Sequence, residues 1–153
     1  MDPQLRAQSL SRQAQTEFES GQYEAAARTL SQAHQCTPDD AALLVNWGLS
    51  LQRLGRLEEA LVPLQSACKR QPGFALAWAQ LGDVLRALQR NDEAHEALQR
   101  ACQLAPELST PLVTLALFLQ QHGQVTQALT CYHQALAREP GNAATWCNLA
   151  IAL

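Results

Sequence analysis

The amino-acid sequence predicts an all-α protein, a solenoid of antiparallel helical hairpins stacked side by side. One observation is that the prolines that end helical stretches are spaced 34 residues apart, at Pro38, Pro72, Pro106 and Pro140. A second is that small residues recur at the same step, as in Ala26, Ala60, Ala94 and Ala128. Between the prolines, apolar residues follow the spacing of three and four that is typical of an amphipathic helix. Such a period indicates repeats that must stack in order to bury their apolar faces.

Each unit is expected to contain two helices joined by a short turn. Glycine marks that turn at Gly21, Gly55 and Gly123. Gln89 stands at this position in the third unit, where a left-handed backbone would cost a glutamine about 1 kcal/mol. We therefore expect a different turn geometry at Gln89.

The units are expected to follow one another within a single domain spanning residues 1–153. Four complete units cover residues 7–40, 41–74, 75–108 and 109–142, and residues 143–153 supply one extra helix, half of a fifth unit. Pro3 after Asp2 fits the first turn of a helix. Short polar side chains that cap helices are expected at Asp39 and Asp40, at Asn91 and Asp92, and at Ser109.

Two positions bear on how the helices of a hairpin pack. Pro63 lies inside the second helix of the second unit. It removes one backbone hydrogen bond, which predicts a local bend that the stack accommodates. In the third unit, Gly82 and Ala94 are small residues on the two helices. We expect them to meet where the backbones approach.

The repeated columns resemble the tetratricopeptide repeat family, whose pattern of Trp, Leu-Gly, large residues, Ala and Pro has a period of 34. The third unit matches at Trp78, Leu81, Gly82, Ala94, Leu98, Ala101 and Pro106. The first unit matches less closely, with Gln13 where Leu is expected. The resemblance implies a right-handed superhelix in which the first helices line a concave surface and the second helices form the convex back.

The resemblance also implies that the concave surface binds a peptide or a partner protein. Counting along the first helices gives the expected groove residues. They are Val45, Asn46, Leu49, Gln52, Arg53, Ala79, Gln80, Asp83, Arg86, Val113, Thr114, Leu117, Asn148 and Ile151.

Two stripes run along this expected groove, one apolar and one uncharged but polar. The polar stripe is Asn46, Gln80, Thr114 and Asn148, each 34 residues after the last. Amide side chains both donate and accept hydrogen bonds, so such a stripe suits the backbone of an extended peptide. The same side chains could instead form ordinary hydrogen bonds between repeats. The apolar stripe predicts a peptide with apolar side chains.

The carboxylate clamp that this family uses for chaperone C-termini is not expected. The corresponding positions here are Ser11, Gln15, Asn46, Leu76 and Gln80. Only Asn46 agrees with the clamp, and no lysine is present among them.

Composition argues against other classes of partner. The chain carries 11 Lys and Arg against 14 Asp and Glu, with a formal net charge of −3. Nucleic acids and anionic membranes attract a clustered basic surplus, which is missing here. The sequence therefore predicts a protein or peptide partner, with no nucleic acid and no membrane.

Catalysis is not expected within these residues, and neither a cofactor nor a metal is expected. The sequence has no glycine-rich phosphate loop and no Cys-x-x-Cys motif. Cys131 and His133 are two residues apart, which places them on different sides of a helix. Cys68 and Cys102 share one column of the repeat and are interpreted as small packed residues.

Two alternatives to a peptide-binding adaptor stay open. The chain ends in a first helix without its second, so Leu149 and Leu153 are expected to face a missing neighbour. Either a longer protein continues beyond Leu153, or this face pairs two copies in a homodimer or a larger scaffold. In a longer protein, the repeats would be the substrate-recruiting arm of an enzyme such as a glycosyltransferase or sulfotransferase. Five cysteines without an export signal predict reduced thiols and a cytoplasmic location.

Overall fold

The computed structural model describes residues 2–153, which form α-helices joined by short turns and contain no β-strand. The helices within this range are α1 (Pro3–Glu19), α2 (Tyr23–Cys36), α3 (Ala41–Arg53), α4 (Leu57–Arg70), α5 (Ala75–Ala87), α6 (Asn91–Leu104), α7 (Ser109–Gln121), α8 (Val125–Arg138) and α9 (Ala143–Ala152). None of these helices is both long and apolar enough to cross a lipid bilayer. The all-α solenoid predicted from the sequence is confirmed.

The helices form two rows. Each odd-numbered helix up to α7 packs against the even-numbered helix that follows it, which gives four hairpins, and α9 packs against α8. From α3 onward, each odd-numbered helix also contacts the next odd-numbered helix. The row with these direct contacts is the tighter inner row of the stack, so α3, α5, α7 and α9 line the concave side.

The turn inside each hairpin is the same in all four units. Gly21, Gly55 and Gly123 have φ values of 76°, 74° and 74°, and Gln89 has a φ of 60°. The Gln89 amide donates to the Arg86 carbonyl at 3.0 Å, as the Gly55 amide does to the Gln52 carbonyl. The expectation of a different turn at Gln89 was therefore wrong. The closing hydrogen bonds hold the left-handed geometry even where the residue is a glutamine.

Side-chain caps account for the starts of three helices. Asp2 caps α1, Asp40 caps α3 and Asn142 caps α9, each accepting a backbone amide hydrogen bond at 3.0–3.1 Å. The caps predicted at Asn91, Asp92 and Ser109 are not formed, because these residues already lie within the first turns of α6 and α7.

In the second and third hairpins, a leucine of the second helix lies against a glycine of the first. A Cβ atom added to Gly82 would lie 2.6 Å from Cγ of Leu98, and one added to Gly48 would lie 2.5 Å from Cγ of Leu64. Leu98, one turn beyond Ala94 on α6, supplies the atoms nearest to such a Cβ at Gly82. The glycine allows the leucine to lie against the helix backbone.

Pro63 does not interrupt its helix. It is buried, and α4 keeps the same 14 residues as α2, α6 and α8. Proline removes the hydrogen bond that would reach the carbonyl of Glu59, so packing in the stack compensates for the lost bond.

Candidate functional site

The concave surface contains a depression that brings many of the predicted groove residues together. It has a volume of about 520 Å³ and lies across α3, α5 and α7. The predicted residues that line it are Leu49, Gln52, Arg53, Ala79, Gln80, Asp83, Thr114 and Leu117. Thr110 completes the lining. Asn148 and Ile151 lie further along the same row, on α9.

The depth of the groove differs along the apolar stripe. Leu49, Val113 and Leu117 are half-buried, so each presents part of its side chain to the surface. Val45 and Ala79 are only 2% and 5% exposed. The expectation that Val45 offers contact area to a ligand was therefore wrong, because its side chain is packed in the core. Ala79 forms part of the floor of the depression, and Val45 belongs to the core.

The amide column is not used for packing between repeats. The side chains of Asn46, Gln80 and Asn148 make no hydrogen bond within residues 2–153. Thr114 differs, because its hydroxyl donates to the carbonyl of Thr110 at 3.1 Å. Asn46 and Gln80 line the concave depressions, and Asn148 lies on α9, all three without an internal hydrogen-bond partner for their side chains.

A second row of polar side chains lies further along the inner helices than the amide column, and its members are hydrogen-bonded to one another. Gln52 Nε2 donates to Asp83 Oδ2 at 2.6 Å, which joins α3 to α5. Arg86 Nη2 donates to Asp83 Oδ1 at 2.7 Å, and Arg86 Nη1 donates to Gln121 Oε1 at 3.3 Å, which joins α5 to α7. The carboxylate and the guanidinium neutralise one another. Gln52, Asp83 and Arg86, all predicted as groove residues, therefore fix the spacing of three inner helices.

The groove continues towards α1 through a second, smaller depression of about 210 Å³. Its lining includes Phe18, Asn46 and Leu49. The guanidinium carbon of Arg53 lies 6.0 Å from the centre of the Phe18 ring, a cation–π contact between the first two units. The sequence analysis missed Phe18. The available signal was an aromatic residue in a column that Gln52, Arg86 and Gln120 hold in the other units.

The residues predicted for self-association lie in different environments. Leu149 is 4% exposed and packs in the main core. The expectation that it faces a missing neighbour was wrong, because the preceding units cover it. Leu153 is 85% exposed, and Trp146 and Ile151 on the same helix are also exposed.

Repeated antiparallel hairpins with a concave inner row define the chain as a helical-repeat protein. Models described as tetratricopeptide repeat match residues 11–73, 75–108 and 109–152. The chain belongs to the tetratricopeptide repeat family, as its columns indicated, and carries the repeats of a protein-interaction module. A search of curated proteins gave no match.

Several solved structures share this fold. PilF of Pseudomonas aeruginosa has a TM-score of 0.89 and 20% identity over 100% of this chain and 70% of its own. MamA from Desulfovibrio magneticus has a TM-score of 0.81 and 20% identity, covering 96% of this chain and 83% of its own. The first TPR of Spaghetti, bound to an HSP90 peptide, has a TM-score of 0.74 and 21% identity over 78% of this chain and 94% of its own. At these identities the likeness concerns the fold.

Proposed function

We propose that this chain is a single-domain binding module whose concave groove holds an extended, apolar segment of a partner protein. The proposal rests on one observation above all. Three groove amides, on Asn46, Gln80 and Asn148, have no internal hydrogen-bond partner within residues 2–153. Such amides can pair with the backbone of a bound peptide, since each amide can both donate and accept hydrogen bonds.

The apolar residues of the groove favour a bound segment with apolar side chains. Leu49, Val113 and Leu117 are half-buried beside the amide column. A peptide in extended conformation alternates its side chains, so one face can lie on these residues while its backbone faces the amides. This resembles the strand-like recognition in which backbone hydrogen bonds supply affinity and alternate side chains supply specificity.

The bonded polar row supports binding to a preformed groove. Asp83 and Arg86 neutralise one another and tie α3, α5 and α7 together through Gln52 and Gln121. A groove that is already ordered loses little conformational entropy on binding. Because Asp83 and Arg86 neutralise one another, they add no net charge to the groove, which suits an apolar segment. The Spaghetti structure shows that a related fold holds a peptide, that of HSP90.

A selection from random twelve-residue peptides displayed on phage tests the proposal. We expect enriched peptides to be rich in Leu, Ile, Val or Phe at alternate positions. Asn46→Ala and Gln80→Ala should each weaken a selected peptide about 5-fold, the loss of roughly one hydrogen bond. Leu49→Asp combined with Leu117→Asp should abolish binding.

Leu5→Asp is the matched control, because Leu5 is exposed on α1 and lies outside both groove depressions. Circular dichroism must show a native helical signal for every variant. Selected peptides that bind the Leu49→Asp, Leu117→Asp variant as tightly as the original chain would refute the groove as the binding site.

A second candidate function is self-association through α9. Ile151 is 75% exposed and Leu153 is 85% exposed, and half of Trp146 is also accessible. Large apolar side chains clustered on one helix favour a covered state. Light scattering tests this: a dimer that Ile151→Ser with Leu153→Ser converts to monomer supports self-association, and a monomeric original chain at high concentration contradicts it.

A further inference from the structure

The amide column of the groove lies between two rows of side chains. On α5, Gln80 of the amide column has Leu76 one turn before it and Asp83 one turn after it. A helix rises about 1.5 Å per residue, so these two residues are about 6 Å and about 4.5 Å from Gln80 along the helix axis, in opposite directions. A peptide that crosses the inner helices over the amide column therefore passes between two walls. The Leu76 wall holds that residue with Ala42 and Thr110, and the Asp83 wall holds that residue with Leu49 and Leu117.

The Leu76 wall belongs to the concave surface. Thr110 lines the depression across α3, α5 and α7 together with Gln80. Ala42 lines a further depression that also reaches Asn46. Leu76 lies between Ala42 and Thr110 in the same column and is 43% exposed. It therefore offers a large apolar side chain beside the amide column.

The large apolar side chains alternate between the two walls from one inner helix to the next. Leu49 on α3 and Leu117 on α7 stand on the Asp83 wall, and both are half-buried. On α5 this wall holds Asp83, whose carboxylate is already hydrogen-bonded within the chain. The leucine of α5 is instead Leu76, on the opposite wall, where the neighbouring helices have a smaller alanine and threonine.

The distance between inner helices fits the residue spacing of an extended peptide. Neighbouring helices pack with their axes about 8–10 Å apart. The inner helices contact one another less than the two helices of a hairpin do, which favours the upper value. An extended chain rises about 3.3 Å per residue, so about three residues span the step from one inner helix to the next.

Three is an odd number, and this decides which wall each side chain of the peptide meets. When the backbone of an extended peptide faces the amide column, its side chains point alternately to the two walls. A residue beside Leu49 on α3 is followed, three positions later, by one beside Leu76 on α5. The next step of three returns to the Asp83 wall, at Leu117 on α7. The alternation of leucines in the groove therefore coincides with the alternation of side chains in the peptide.

We propose that the groove selects an extended segment with large apolar side chains at positions 1, 4 and 7, which contact Leu49, Leu76 and Leu117 in turn. This register rests on the proposed function, to which it adds the residue that reads the middle position. Positions 1 and 7 belong to the alternate side chains that face the Asp83 wall, and position 4 belongs to the opposite set. The spacing is the same in either chain direction, because the pattern is symmetric.

Three synthetic peptides of identical composition test the spacing, each with three leucines among serine, threonine and glutamine and with a fluorescent label. The first has its leucines at positions 1, 4 and 7. The second has them at positions 1, 3 and 5, which an extended chain directs to a single wall, and the third at positions 1, 5 and 8, which share one face of a helix. Fluorescence anisotropy with the full chain measures the affinities. We expect the 1-4-7 peptide to bind at least 5-fold more tightly than either of the others.

A double-mutant cycle tests the contact of position 4 with Leu76. Leu76→Ser should weaken the 1-4-7 peptide about 5-fold, because an apolar contact on one wall is lost. It should change little for the same peptide with serine at position 4, since the two side chains then no longer meet. Leu108→Ser is the matched control, because Leu108 is 46% exposed at the start of α7 and lines neither groove depression. Circular dichroism must show a native helical signal for both variants.

Some outcomes would overturn the register and leave the groove in place as the binding site. One is tightest binding of the 1-3-5 peptide, lost in the Leu49→Asp, Leu117→Asp variant, which would assign recognition to a single wall. Another is an equal effect of Leu76→Ser on the peptides with leucine and serine at position 4. Tightest binding of the 1-5-8 peptide would overturn both the register and the extended conformation in the proposed function. If none of the three peptides binds, the register is refuted, and the proposed function then depends on the phage selection alone.

Discussion

Gln52 and Asp83 lie 31 positions apart in the chain, and their side chains are joined by a hydrogen bond of 2.6 Å. Asp83 also accepts two hydrogen bonds from Arg86, at 2.7 Å and 3.2 Å. One carboxylate therefore fixes the second inner helix to the third and positions the arginine that reaches the fourth. Polar bonds as well as apolar packing therefore join the inner helices.

Asp83→Ala should lower the free energy of unfolding by about 1.5–3 kcal/mol, the typical loss for hydrogen bonds to a charged group in a partly buried place. The change leaves the Arg86 charge without its partner and frees the Gln52 amide. Urea unfolding followed by circular dichroism measures the effect. Asp39→Ala is the control, because Asp39 pairs with Arg70 but is 79% exposed, and its loss should cost less than about 1 kcal/mol. Equal effects of the two changes would contradict a special role for Asp83.

Gly82→Ala should destabilise the chain despite the better helix propensity of alanine. Its Cβ would lie 2.6 Å from Cγ of Leu98, and such overpacking costs about 1–3 kcal/mol. The propensity gain of about 1 kcal/mol offsets only part of this cost. A double-mutant cycle with Leu98→Ala measures the coupling. We expect Gly82→Ala to become neutral or stabilising once Leu98 is shortened, and an unchanged cost in that background would rule out the clash as the cause.

The sequence predicted those features of the structure that recur in every repeat, and it missed those that occur only once. Columns such as Ala26 and Pro38 recur every 34 residues, so the repeat itself revealed the hairpins. The turn at Gln89 was predicted wrongly because glutamine disfavours a positive φ. The helices on either side nevertheless hold Gln89 at a φ of 60°. The bonded row of Gln52 and Asp83 was missed because it joins side chains from different columns, and a column-by-column comparison cannot show such contacts.

The same reasoning explains the mixed outcome for the groove. Counting along the inner helices placed Leu49 and Leu117 in one depression. Val45, one turn before Leu49, is buried, whereas Val113, in the same column of the repeat and one turn before Leu117, is half-buried. The column of a residue therefore does not by itself decide how far its side chain is exposed. Exposure within a repeat thus depends on the superhelix, which no single unit specifies.

The cysteines should differ sharply in reactivity. Desolvation by burial raises the pKa of the Cys68 and Cys102 thiols to about 11, whereas Cys147 is exposed. Only the thiolate reacts with iodoacetamide at an appreciable rate. At pH 8 we expect mass spectrometry to find Cys147 labelled first and Cys68 labelled only after unfolding in urea. Rapid labelling of Cys68 in the folded chain would contradict its burial.

The same thiols predict how stability changes in alkali. Because the folded pKa of Cys68 and Cys102 lies above the reference value of 9.0, the unfolded chain loses these protons first as pH rises. Their contribution to stability is therefore complete below about pH 9 and is lost as pH rises towards 11. Urea unfolding at pH 8, 9 and 10 should show this decline. Replacing both residues by alanine should reduce the slope, and an unchanged slope would assign it to other groups, such as Tyr132, whose pKa burial also raises.

Gln89→Gly should raise the free energy of unfolding by about 0.5–1 kcal/mol. Gln89 has a φ of 60°, in the left-handed region that costs a residue with a Cβ roughly 1–2 kcal/mol. Glycine removes that cost, and the greater freedom of glycine in the unfolded chain offsets only part of the gain. The turn already has the closing hydrogen bonds that the three glycine turns possess, so no rearrangement is needed.

The matched control for this prediction is Gln99→Gly, the same substitution at an exposed position inside α6. There the backbone is right-handed and helical, so glycine should lower the free energy of unfolding by about 0.5–1 kcal/mol. Both variants replace an exposed glutamine by glycine, so opposite signs in parallel urea titrations would point to the backbone conformation at the substituted residue as the cause. If both variants lose stability, the Gln89 side chain contributes more through its contacts than its backbone costs.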